Sequence, residues 1–109
     1  MENISESRSF DDMMDALADV QRRKLLVALL EHNPQDDTAA VVADFESKTD
    51  ALERRISMQH VHLPKLAEYG FTDWNEDTHE VRKGAKFDDF RPLLELLEDH
   101  EDELPPDWL

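Results

Sequence analysis

Side chains that could do chemistry gather in one stretch of this chain, where Arg54, Ser57, His60, His62 and Lys65 recur at short intervals. Two histidines two residues apart invite a metal reading. On a helix, however, such a pair lies on nearly opposite faces and cannot share an ion unless Pro64 unwinds the turn. His100 and Glu103 are three apart and could share a face, but a single histidine there is a poor basis for a metal site. The absence of cysteine excludes disulfides, zinc ribbons and thiolate catalysis. Carboxylates are so numerous that their pairing carries no information, and neither a phosphate-cradling glycine loop nor a nucleophile elbow is present. No cofactor, no metal and no enzymatic activity are therefore expected. What remains is donor chemistry. Arg54, Ser57 and Lys65, flanked by His60 and His62, suit phosphate oxygens and base edges, while Arg82, Lys83 and Lys86 suit phosphates alone.

Those donors need a scaffold, and the spacing of apolar residues predicts one. Leu52, Ile56, Leu63 and Leu66 fall on one face of a helix spanning about 50–69, capped by Thr49 or Asp50, kinked at Pro64 and stopped by Gly70. Phe71 to Trp74 reads as a strand, Asn75 to Thr78 as a turn and His79 to Lys83 as a second strand. Upstream, Ser9 or Asp11 caps a short helix with Phe10, Met13, Met14 and Leu17 on its apolar face. Asp19 caps a second helix with a broad stripe of Leu25, Leu26, Leu29 and Leu30, ended by His32-Asn33-Pro34. Val41, Val42 and Phe45 mark a short helix over 38–45. Asp88 or Asp89 begins a last helix with Pro92 in its first turn and a seam of Phe87, Phe90, Leu94 and Leu97. That seam predicts either a dimer contact or docking on its own domain. The tail to Leu109 reads as an irregular strap with Trp108 tucked down. Helices followed by a turn, a long exposed helix and a hairpin define a winged helix-turn-helix: mainly α with a small β-hairpin.

At 109 residues the chain suits one domain. The expected organisation is a flexible acidic N-terminus over 1–9, the winged helix-turn-helix over 10–86, and an acidic helix and tail over 87–109. No apolar run reaches the ~20 residues of a membrane span, and Met1 to Arg8 lacks a signal-peptide core, so a cytoplasmic location is expected. The net charge of −15 fits a folded protein adapted to high salt, with apolar residues at clean helical spacing arguing against disorder. Its distribution is uneven. Residues 1–19 hold six acids against Arg8, and residues 87–109 hold nine acids against Arg91. The middle is left nearly neutral, as a surface that must approach phosphate requires.

Two stretches resemble known proteins. Phe10 to His32, with Ala16-Leu17-Ala18-Asp19-Val20-Gln21-Arg22-Arg23-Lys24-Leu25-Leu26, resembles the opening of ArsR-like winged-helix regulators. His60-Val61-His62-Leu63-Pro64-Lys65-Leu66 is similar to the signature of a small haloarchaeal winged helix-turn-helix family without an assigned function. The resemblance spans roughly residues 10–85 and implies a winged-helix fold, binding to double-stranded DNA and dimerisation. On that reading the helix over 50–69 enters the major groove with the 71–83 hairpin as wing, and Arg54, Ser57, His60, His62, Lys65, Arg82 and Lys83 make the contacts. A homodimer through residues 87–104 is the expected assembly. The rival expectation is a winged-helix protein-interaction module that binds no DNA.

Overall fold

The computed structural model describes residues 9–37 and 48–109. Helix α1 (Ser9–Ala16) leads through a short turn into α2 (Val20–Glu31), and strand β1 (Gln35–Asp36) follows. A continuous helical rod then runs from α3 (Lys48–Ser57) through a π-helical turn (Met58–His62) into α4 (Leu63–Tyr69). Strands β2 (Thr72–Asn75) and β3 (Glu80–Lys83) form a hairpin, and α5 (Phe87–Asp99) and two 3-10 turns close the chain. The molecule is mainly helical with a small antiparallel sheet. The helix expected over 38–45 lies outside the described residues.

Several local signals act as read. The Asp19 carboxylate accepts from the Gln21 N–H at 2.8 Å and starts α2, leaving Leu25, Leu26 and Leu29 fully buried. Gly70 ends α4 at φ +85°, its N–H returning to the Ala67 and Leu66 carbonyls. The hairpin pairs Trp74 with Val81 and Asn75 with Glu80, and the Asn75 side chain caps the turn by accepting from Asp77 N–H. A third strand was not anticipated: Gln35 and Asp36 pair antiparallel with Val81 and Glu80 on the open side of β3. Two polar residues give no strand periodicity, so only the waiting edge of β3 makes them one.

Three expectations need correction, and of the two readings of the α5 seam, docking on its own domain is the one observed. On α1 the buried residues are Met13 and Ala16, while Phe10 and Met14 face solvent. Ala16 has no exposed area, and a small residue there lets α1 approach the core closely. Helix α5 begins at Phe87, earlier than expected, so Pro92 falls beyond the first turn. The bond Pro92 cannot make would go to Asp88, on the exposed side where water substitutes. The seam Phe87, Phe90 and Leu94 is buried in the molecule's own core, which leaves Leu96 as the large exposed apolar side chain of α5. Phe90 stacks against Phe71 with ring centroids 4.7 Å apart.

The third correction concerns the rod. Leu63 and Leu66 are buried as expected, but Leu52 is 55% and Ile56 50% exposed. Pro64 offers no N–H to the preceding turn and its ring crowds the carbonyl four residues back. The helix widens before it: the Leu63 N–H reaches past that position to the Met58 carbonyl. One extra residue in a turn rotates everything upstream by about 100°. Met58 and His62 thus become inward residues, and the Leu52–Ile56 stripe leaves the core.

Candidate nucleic-acid interface

The rod holds four basic residues (Lys48, Arg54, Arg55, Lys65) against three acids (Asp50, Glu53, Glu68) in a chain of net charge −15. Between Leu52 and Pro64 its exposed residues are Leu52, Glu53, Arg55, Ile56, Gln59, His60 and Val61. Arg54 and Ser57, expected at the front of a contact surface, are half-buried instead. The widened turn that moved Leu52 and Ile56 also moved them. It brings forward Arg55 and Gln59, which a regular helical wheel did not select.

The two histidines separate. His60 is exposed. His62, expected as a flanking donor, is buried and accepts at Nδ1 from Arg22 Nη1 at 2.9 Å. Arg22 is itself buried, donating to the carbonyls of Ala16 at 3.1 Å and Asp15 at 2.8 Å. It thereby joins the end of α1, the start of α2 and the π turn. Because the guanidinium can only donate, His62 Nδ1 must accept, and the proton sits on Nε2, 3.6 Å from Asp19 Oδ1. Burial holds the His62 pKa below its ordinary value; Asp19 opposes the shift, and Arg22 and Lys65 add to it.

Lys65 is also diverted from the surface role expected of it. Its ammonium meets the Asp15 carboxylate of α1 at 2.8 Å, and the Tyr69 hydroxyl donates to the same oxygen. The hydrogen bond from Lys65, then that from Tyr69, holds the Asp15 pKa down. The bond to Asp15 raises the pKa of both Lys65 and Tyr69. No sequence spacing connects residues 50 apart, so this tie was not foreseeable. Arg23 is likewise structural: it donates to the Leu17, Asp107 and Trp108 carbonyls and lies 5.6 Å from the Trp108 ring centroid, fixing the C-terminal strap.

On the hairpin, Arg82 is exposed but paired with Glu80 at 3.0 Å. The Lys83 ammonium sits 5.3 Å from the Phe87 ring centroid, against the body of the protein. Lys86 is exposed, with its stem against Gly70. Asp73, Glu76 and Asp77 are exposed on the same hairpin. The hairpin is therefore net acidic, and the rod is the better approach for a polyanion. Among the described residues no group of three His, Asp or Glu side chains could hold a metal ion, and no helix is long and apolar enough to cross a membrane. Comparison with protein-family models, curated proteins and solved structures finds no match to this chain.

Proposed function

We propose that this protein is a DNA-binding regulator of winged helix-turn-helix type that presents the rod over 50–69 to the major groove, with the 71–83 hairpin as wing. The observation that carries the reading is the outer face of the rod. Arg55, Gln59 and His60 stand exposed there, with Glu53 the one exposed acid between Leu52 and Pro64, whereas α1 and α5 display acids. Arginine and glutamine are the side chains that pair with guanine and adenine edges. The resemblance of His60 to Leu66 to the haloarchaeal heptapeptide supports the same reading. At molar salt the Debye length is ~3 Å, so the distant carboxylates do little to repel a duplex. Counterion release is weak under those conditions, and direct hydrogen bonds must supply the affinity.

A mobility-shift titration on the DNA upstream of the protein's own gene, in molar potassium chloride, tests this. A saturable shift is expected, reduced about tenfold or more in Arg55→Ala with Gln59→Ala, since each good base pairing contributes ~1–3 kcal/mol. Lys65→Ala should bind nearly as wild type, because Asp15 already holds that ammonium. An absent shift, or one undiminished in the double variant, would overturn the reading. The exposed Leu52, Ile56 and Val61 favour a second one, docking of a protein partner on the same face. No DNA shift, together with self-association in sedimentation that Ile56→Asp abolishes, would support that alternative. A homodimer through residues 87–104 would have to rest chiefly on Leu96, since the α5 seam is already covered.

A further inference from the structure

Between the hairpin turn and the π turn lies a cavity of about 210 Å³ walled by Asp37, Gln59, His60, Trp74, Glu76 and His79. It is built around Asp37, the residue after β1. The Asp37 N–H donates to the His79 carbonyl at 2.9 Å, and its side chain is 1% exposed. One carboxylate oxygen accepts from Trp74 Nε1 at 3.3 Å and lies 3.1 Å from His79 Nδ1. The other is buried without a hydrogen-bond partner. His79 takes a left-handed backbone, φ +60°, which side-chain-bearing residues avoid and which its tie to Asp37 holds in place. With Nδ1 donating to the carboxylate, the ring turns Nε2 away from Asp37.

The wall therefore offers acceptors, the Glu76 carboxylate and the Gln59 carbonyl, together with the buried Asp37 carboxylate. Trp74 adds the aromatic side chain to which cations are most strongly drawn. One water needs ~10–15 Å³ of such space, so the cavity has room for a ligand of several heavy atoms. A bare metal ion is the wrong occupant, since no three His, Asp or Glu groups among the described residues stand close enough to hold one. We propose that this cavity binds a compact organic cation through its ammonium or guanidinium group. Its N–H donors match the acceptor wall, and the buried Asp37 carboxylate supplies charge that salt screens less than it screens the outer surface. Gln59 and His60 belong both to this wall and to the rod's outer face, which places an occupant beside the proposed DNA contacts, although binding in the cavity does not require DNA binding.

The chain has two tryptophans, so Trp108→Phe leaves Trp74 as the sole fluorophore at the cavity. Titration of this variant with butylguanidinium at constant ionic strength should give a saturable change in emission, and the neutral analogue butylurea should give none. Glu76→Gln, at an exposed rim position, should weaken binding about tenfold, the loss of one charge-assisted contact. His79→Gln should weaken it similarly. Acetyl-arginine amide, carrying the same group on a peptide, distinguishes the source. Equal affinity marks the side chain of another protein as the natural occupant, and a preference for butylguanidinium marks a free small molecule. No saturable change with either cation, an equal response to butylurea, or an unaltered affinity in Glu76→Gln would overturn the proposal.

Discussion

The guanidinium of Arg22 can only donate, so the His62 nitrogen it meets at 2.9 Å is an acceptor and the buried ring is neutral. Protonation would place a second cation against Arg22, and Asp19 at 3.6 Å offers limited compensation. The sign of the pH dependence follows. The folded pKa lies below the unfolded value of 6.5, so this site's contribution is fully present above about that pH and is lost as pH falls through the interval beneath it. Thermal melting from neutral to mildly acidic pH should show that loss in wild type. His62→Gln, whose side-chain carbonyl can still accept from Arg22, should lack this component. Equal slopes for the two proteins near pH 6 would contradict the assignment. The sequence marked His62 as chemically interesting but could not say that its partner is an arginine 40 residues away. Pairing at that distance is set by how α2 crosses the rod, not by any local pattern.

The rod owes its orientation to one proline. Pro64 was legible as a disturbance; its consequence, a widened turn that rotates α3, was not. The contrast between two leucines on the same helix reads this out. Leu63→Ala should cost about 2–5 kcal/mol, as large-to-small changes in a core do. Leu52→Ala should stay within ~0.5 kcal/mol, as exposed positions do. Comparable losses in urea denaturation would mean that the upstream stripe is part of the core after all. The two glycines divide similarly. Gly70 could be read from the end of the apolar stripe, and Gly70→Ala should cost about 1–2 kcal/mol for its left-handed backbone. A Cβ on Gly84 would stand 2.5 Å from the Gly70 carbonyl oxygen, a backbone atom, whereas at Gly70 it meets a flexible Lys86 stem at 3.3 Å. Gly84→Ala should therefore be the more damaging of the two, and the reverse order would refute that close approach.

A net charge of −15 on one small domain repels itself, and the ion pairs at Lys65–Asp15, Arg82–Glu80 and Arg91–Asp88 relieve only part of it. Raising potassium chloride from about 0.1 M to several molar should stabilise the fold by about 1 kcal/mol or more, a shift of ~4–8 °C. A melting temperature indifferent to salt would argue against self-repulsion as a governing term. Acids crowd α1, α5 and the outer hairpin, while the rod exposes Arg55 beside Glu53 and Glu68. The apolar surface of α5 belongs to the molecule's own core, which lowers the hydrophobic reward for pairing through that helix.

By itself the sequence determined α1, α2, α5 and the length of the rod to within a few residues, the Asp19 cap, the Gly70 stop and the hairpin, because each of these depends on residues within a turn or two of one another. It also determined where charge is dense and where it is sparse. Tertiary structure alone decided which polar groups remain free for a ligand. Lys65 and His62 were withdrawn into contacts with α1 and α2, Arg55 and Gln59 were turned outward, and Asp37 was joined to His79 and Trp74. The physical reason is common to all: a side chain's availability depends on partners brought close by chain crossing, and a shift of about 100° in helical phase at one proline redirects every residue before it.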